Sequence, residues 1–144
     1  MTTIAYRNGV LAADSCATTG EADGAYQTHC RKLFRKKDAI IATSGESSSG
    51  MVFVDWYGGK VPPDKMLAGG ADFICLVLTR SGLFEYDKWC RGEKILQPFY
   101  AIGTGAKAAL SAMHAGSSAQ RAVEIACMLD PYSKPPVVTM RLKR

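Results

Sequence analysis

Two threonines directly follow the initiator methionine at the start of this chain. Methionine aminopeptidases remove Met when the next residue is small, so processing would expose Thr2 with its hydroxyl and a free α-amine. Those two groups on one residue form an N-terminal nucleophile that carries its own base. Thr is also a common strand residue, and its position alone favours that plainer interpretation. The rest of the sequence must decide between the two.

A hairpin signal close behind the threonines predicts that a carboxylate lies beside them. Asn8-Gly9 stands between two apolar runs, and this dipeptide favours a two-residue type I′ turn. Counting outward from the turn pairs Thr3 with Asp14. Asp14 is therefore either a functional neighbour of the amino terminus or an ordinary acceptor at a strand end.

Length and composition predict one globular domain over residues 1–144, with 47% hydrophobic residues. An apolar run of membrane-spanning length and a signal segment are both missing, which predicts a cytoplasmic protein without membrane association. An odd number of cysteines without C-x-x-C spacing argues against a disulfide framework. The five are Cys16, Cys30, Cys75, Cys90 and Cys127.

The net charge of +5 is concentrated in residues 31–37 and 141–144. Aromatic residues do not alternate with these charges as they do in single-strand binders, so no nucleic-acid partner is predicted. Lys32 could be one more solvated charge in this basic segment. His29 and His114 have no ligand-like neighbours, and the Gly103-Thr104-Gly105 turn lacks P-loop spacing, so neither a metal nor a cofactor is predicted.

Hydrophobic periodicity predicts an α+β layered domain. Strands are expected at 32–35, 39–43, 73–79, 83–86, 99–102 and 137–142, after the first hairpin. Helices are expected over 51–57 with a start among the polar residues 44–48, at 106–113, and after a capping box formed by Ser117 and Gln120. Residues 17–28 are interpreted as a loop and 61–65 as a linker.

Five short motifs give the chain a resemblance to proteasome β-type subunits, including the bacterial HslV peptidases. They are T-T-I at the start, A-A-D at 12–14, R-K-L-F-R at 31–35, A-I-G-T-G at 101–105 and D-P-Y-S at 130–133. The resemblance spans nearly the whole chain and identifies it as a short bacterial or phage-type member. It implies an N-terminal-nucleophile (Ntn) hydrolase fold, an αββα four-layer sandwich. The chain is shorter than such subunits between Tyr57 and Phe73, which predicts that one helical layer is reduced.

The resemblance also implies roles for particular residues. Thr2 would be the nucleophile, Lys32 would lower the pKa of the α-amine, and Asp14 would hold Lys32 in place. The hydroxyl and carboxylate residues that would position the amine and relay protons are Thr104, Asp130 and Ser133. Gly45 would donate its backbone N–H to the oxyanion.

A threonine peptidase that cleaves unfolded polypeptides is therefore the expected function. Its subunits would form a homo-oligomeric ring of six or seven copies, single or stacked, served by an ATP-dependent unfoldase. Large apolar residues between 51 and 57 exceed what one helix face can hide, and are expected at the subunit contact. The alternative is a catalytically inactive relative that keeps the fold for assembly or binding.

Overall fold

The computed structural model describes residues 1–20, 24–59 and 72–143. Its strands are β1 (Thr3–Arg7), β2 (Val10–Ala13), β3 (Cys16–Thr19), β4 (Tyr26–His29), β5 (Leu33–Lys36), β6 (Ala39–Gly45), β7 (Phe73–Thr79), β8 (Gly82–Tyr86), β9 (Gly92–Lys94), β10 (Phe99–Gly103) and β11 (Val138–Arg141). Its helices are α1 (Ser47–Trp56), α2 (Ala106–His114) and α3 (Ala119–Leu129).

Two antiparallel sheets face each other across the main hydrophobic core. One has the strand order β10-β1-β2-β11 and the other β5-β6-β7-β8-β9. Ile4 and Leu11 of the first sheet pack in one buried cluster with Ile40 and Leu76 of the second. Helices α2 and α3 cover the outer face of the first sheet, and α1 covers that of the second. The layers therefore run α, β, β, α, which confirms the predicted fold class.

The helical layer formed by α2 and α3 is packed through small side chains. Ala109, Ala122 and Ala126 are fully buried, which lets the helices approach each other and the sheet closely. Among the described residues, α1 covers the second sheet. The shortened stretch between Tyr57 and Phe73 lies mostly outside the described residues, so the reduced layer stays a prediction. The predicted linker at 61–65 lies outside the described residues.

The first hairpin forms as predicted and places the amino terminus beside Asp14. Asn8 and Gly9 both have positive φ, 51° and 75°, as a type I′ turn requires. Arg7 pairs with Val10. The pairing continues to the end of the strands, where the Asp14 N–H donates to the Thr3 carbonyl at 3.1 Å.

The predicted loop at 17–28 is wrong, because β3 and β4 form a two-stranded ribbon there. Their Thr and Tyr residues favour strands. However, all four residues of β4 are exposed, so the apolar alternation that would have marked a strand is missing. The short strand β9 was not predicted either.

The predicted capping box at Ser117 is shifted by one residue. Ser118 is the N-cap of α3, and its hydroxyl accepts from the Arg121 N–H at 3.1 Å. Ser117 instead donates its N–H to the Ala112 carbonyl and closes the end of α2. Helix α1 begins at Ser47, within the predicted start at 44–48, and the Glu46 side chain caps it by accepting from the N–H groups of Ser48 and Ser49.

The apolar residues of α1 are buried inside the subunit more than predicted. Phe53 is fully buried and Val54 nearly so. Phe53 packs against Tyr86 with ring centroids 5.1 Å apart. Met51 is exposed, whereas Trp56 is half-buried. The predicted surplus of exposed apolar surface on this helix is therefore largely absent.

Candidate active site

The backbone nitrogen of Thr2 lies at one end of a chain of hydrogen bonds. Thr2 is buried, and its N–H donates to Thr104 Oγ1 at 3.3 Å. Thr104 comes directly after β10, which pairs with β1 so that Gly103 lies opposite Thr3. The register between these two strands therefore places the Gly103-Thr104-Gly105 turn against the amino terminus.

The chain continues through the carboxylate of Asp130. Thr104 Oγ1 and Ser133 Oγ each lie 2.6 Å from Asp130 Oδ2. A carboxylate can only accept, so both hydroxyls donate to it. Since Thr104 gives its proton to Asp130, its oxygen is left to accept from the Thr2 nitrogen. Two hydrogen bonds thus connect that nitrogen to a negatively charged carboxylate.

Asp130 is held as a carboxylate by the turn that follows α3. It is the C-terminal cap of that helix, and Tyr132 donates its N–H to Oδ1 at 3.3 Å. Burial alone would raise the pKa of Asp130. The hydrogen bonds from Ser133 and Thr104 outweigh burial and keep the pKa below its usual range.

A buried ion pair forms the second half of the site. Lys32 Nζ lies 2.8 Å from Asp14 Oδ1, and the two side chains are 4% and 0% exposed. Asp14 also accepts three backbone N–H groups at 2.9 to 3.1 Å, from Thr3, Cys16 and Lys134. Four donors therefore compensate its charge, as a buried carboxylate requires.

The ammonium of Lys32 points at the amino terminus. Its Nζ donates to the carbonyl oxygen of Met1 at 3.3 Å, which belongs to the peptide bond that joins Met1 to Thr2. The interpretation of Lys32 as a solvated charge is therefore wrong. Position in a basic segment could not reveal this, because the partner Asp14 comes from another sheet.

A cleft of about 270 Å³ opens beside these groups, and Thr2, Lys32 and Gly45 all line it. Backbone N–H groups alternate sides along a strand. The Thr43 N–H donates to the Lys32 carbonyl on the β5 side, so alternation directs the Gly45 N–H to that side too. The pairing with β5 reaches only Ala42, opposite Leu33, so no strand residue lies opposite Gly45 on that side and its N–H faces the cleft.

Every site residue expected from the sequence thus lies in one connected region. Thr104, Asp130 and Ser133 form the hydrogen-bond chain to the Thr2 nitrogen. Asp14 and Lys32 form the ion pair, and Gly45 lines the same cleft as Thr2. Thr3 was missed as a member of the site. Its side chain is fully buried, and its Oγ1 lies 2.6 Å from Ser133 Oγ. The sequence carried no signal for it beyond its place next to Thr2.

Two cysteines also line the cleft. Cys16 is buried and Cys30 half-buried, and burial raises the pKa of the Cys30 thiol. Within residues 1–20, 24–59 and 72–143, no cluster of three or more His, Cys, Asp or Glu side chains could hold a metal ion. In the same ranges, no helix combines the length and the apolar character needed to cross a bilayer.

Comparisons with known proteins identify the fold. Two structures of BPH from Thiobacillus denitrificans, one of them in complex with epoxomicin, match at 20% identity with TM-scores of 0.69 and 0.67. HslV from Trypanosoma brucei matches at 16% identity with a TM-score of 0.68. Each alignment covers 99% of this chain and 98–99% of the other. The chain has the HslV-like Ntn-hydrolase fold.

Two further comparisons found no match. The chain matches no protein-family model, and it matches no curated protein. At 16–20% identity the likeness establishes the HslV-like fold, and the chemistry has to be argued from the site itself.

Proposed function

We propose that this chain is a threonine peptidase of the proteasome and HslV type, with Thr2 as its nucleophile after Met1 is removed. The observation that carries the proposal is the hydrogen-bond chain from the Thr2 nitrogen through Thr104 to Asp130. This chain fixes the nitrogen that becomes the α-amine, while an ammonium stands on its other side. No hydrogen bond to Thr2 Oγ1 occurs among the described residues, so its hydroxyl is free to react.

Acylation would begin when the neutral α-amine takes the proton of Thr2 Oγ1. The oxygen then attacks the carbonyl carbon of the scissile peptide bond and forms a tetrahedral intermediate. Gly45 would stabilise the oxyanion through its backbone N–H. On collapse, the C–N bond breaks and the leaving amine takes the proton from the α-ammonium. The product is an ester between Thr2 and the acyl half of the substrate.

Deacylation repeats these steps with water. The neutral α-amine accepts a proton from water while the water oxygen attacks the ester carbonyl. The second tetrahedral intermediate then expels Thr2 Oγ1, which recovers its proton from the α-ammonium. Both halves use the α-amine as base and then as acid.

The ion pair between Lys32 and Asp14 acts on the protonation of the α-amine. The Lys32 ammonium near the α-amine disfavours a second positive charge, so it favours the neutral amine that can act as base. Asp14 keeps Lys32 charged and fixes its position. The Lys32 hydrogen bond to the Met1 carbonyl is lost with Met1, and that donor then faces the new amino terminus.

The test combines intact-mass measurement with labelling by epoxomicin, an epoxyketone. Active protein should lack the mass of one Met and gain the mass of one inhibitor. Thr2→Ala should fold but neither hydrolyse peptides nor become labelled. Thr139→Ala changes an exposed threonine of β11 outside the cleft and should be labelled like wild type. Protein that has lost Met1 yet resists labelling and cleaves nothing would instead be the inactive relative.

We further propose that the subunits form a ring of six or seven copies that encloses this site and admits unfolded polypeptide delivered by an ATP-dependent unfoldase. Large apolar residues are exposed beside Asp130, namely Met128 at 69%, Leu129 at 70% and Tyr132 at 43%. Such clusters usually mark contacts between proteins. Light scattering should give a mass several times 15.5 kDa. A stable species near the chain mass would contradict the ring.

A further inference from the structure

Thr3 is the residue through which the two halves of the site meet. Its N–H donates to Asp14 Oδ1 at 2.9 Å, on the same oxygen that pairs with Lys32. Its hydroxyl lies 2.6 Å from Ser133 Oγ, which belongs to the hydroxyl chain around Asp130. One residue, adjacent to the nucleophile, is therefore bonded to both the ion pair and the hydroxyl chain.

The direction of the hydroxyl bond follows from the groups around it. Ser133 gives its proton to the Asp130 carboxylate, so it can only accept from Thr3. Thr3 Oγ1 is then the first donor of a chain that runs through Ser133 to Asp130. Hydrogen bonds in such a chain polarise and strengthen one another. The Thr3 hydroxyl thereby helps to fix Asp130. Asp130 in turn fixes Thr104, whose Oγ1 accepts from the Thr2 nitrogen.

The turn at Gly105 is shaped around this hydroxyl. A Cβ at position 105 would lie 1.9 Å from Thr3 Oγ1. Gly105 has φ of −87°, a value that any residue adopts, so its backbone conformation does not require glycine. What requires glycine is the space taken by the Thr3 hydroxyl.

We propose that Thr3 is a positioning residue for the Thr2 nucleophile, an inference that rests on the proposed function. It acts through Ser133 and Asp130 and touches neither substrate nor the reacting atoms. Its hydroxyl helps to fix Ser133 and Asp130, which position the amine through Thr104. Its backbone N–H, bonded to Asp14, keeps the amine at a fixed position relative to Asp14 and Lys32.

The experiment replaces the hydroxyl with a methyl group of similar shape. Thr3→Val keeps the branched side chain and the backbone bond to Asp14 but removes the donor to Ser133. The turnover number kcat for a fluorogenic peptide should fall on the order of 10- to 100-fold, as for other misplaced reactive groups, while KM stays within about twofold. Thr3→Ser restores the hydroxyl and should recover most of kcat. Thr139→Val, at an exposed position on β11, is the matched control and should behave like wild type.

A double-mutant cycle separates positioning from packing. If Thr3 acts through Ser133, adding Thr3→Val to Ser133→Ala should cost little further activity. Additive losses, an unchanged kcat in Thr3→Val, or a loss that Ser does not rescue would each overturn the inference. Should the valine variant fail to fold, Thr3→Ala removes the same hydroxyl without added contacts. The same loss of kcat and the same non-additivity with Ser133→Ala are expected of it.

Failure of this inference differs visibly from failure of the proposed function. If wild type cleaves peptide and Thr2→Ala does not, while Thr3→Val is as active as wild type, the inference alone falls. If wild type lacking Met1 neither cleaves peptide nor reacts with epoxomicin, both fall.

Discussion

The two ends of the β5–β6 hairpin carry similar charges in very different surroundings. At the cleft end, Lys32 is buried against Asp14 and reaches the Met1 carbonyl. At the turn end, four residues further on, Lys36 donates to the carbonyls of Val54 and Asp55 at the end of α1, and Lys37 is exposed with φ of 53°. The same residue type thus belongs to a buried ion pair at one end and to a solvated turn at the other.

The difference shows that the partner, and not the charge, defines the role of each lysine. Asp14 follows β2 and reaches Lys32 because the first sheet packs over β5. Among the described residues, neither Lys36 nor Lys37 forms an ion pair with a carboxylate. A buried charge is tolerated only where compensation is complete. The cleft end should therefore respond strongly to substitution and the turn end weakly.

The largest effect is expected when one lysine is removed from each end. Lys32→Ala leaves Asp14 charged and buried with backbone donors alone, and should lower the free energy of unfolding by about 3 kcal/mol besides abolishing peptide hydrolysis. Lys37→Ala should stay within about 0.5 kcal/mol of wild type and keep its activity. Urea unfolding and peptide hydrolysis measure both. Equal stability losses would break the comparison.

A smaller effect is expected from two substitutions at positions with positive φ, one at each end of the hairpin. Gly45 has φ of +100°, and an added Cβ would lie 2.6 Å from the Asp72 carbonyl oxygen. Gly45→Ala should therefore cost about 1 to 3 kcal/mol and reduce kcat, because the N–H that faces the cleft is displaced. Lys37→Gly is the counterpart and should cost no stability, since glycine adopts positive φ readily. Thermal unfolding of both variants gives the two values, and a stable, fully active Gly45→Ala would remove Gly45 from the oxyanion site.

The smallest effect concerns Glu46, which caps α1 at the cleft end. Hydrogen bonds, chiefly from the Ser49 side chain, lower the pKa of Glu46 from 4.5 to about 2. A lowered folded-state pKa stabilises the protein above the unfolded pKa, and this stabilisation is lost as pH falls from about 5 to about 2. Glu46→Gln should cost about 1 kcal/mol at pH 7, a value limited by solvent screening. Denaturant unfolding should show that this difference disappears near pH 2; a difference independent of pH would contradict the assignment.

Sequence patterns predicted the hairpins well because their signals are local. Asn8-Gly9 fixed both the turn and the register that brings Thr3 to Asp14. The start of α3 was less accurate, because Ser117 and Ser118 are equally good caps in a sequence. The choice between them depends on how α2 ends, with Gly116 at φ of 103°. The ribbon β3–β4 was missed because its exposed residues carry no apolar period.

The sequence by itself determined which chemical groups exist and which of them are near in the chain. These are a threonine that processing can expose, an aspartate across the hairpin from the next residue, and an aspartate and a serine three residues apart in the D-x-x-S turn. Only the tertiary structure decided that Lys32 is buried, that Gly105 makes room for Thr3, and that the Gly45 N–H faces the cleft. Each of these depends on contacts between segments that lie far apart in the sequence. Such contacts are set by how the two sheets and their helices pack, and no local pattern encodes them.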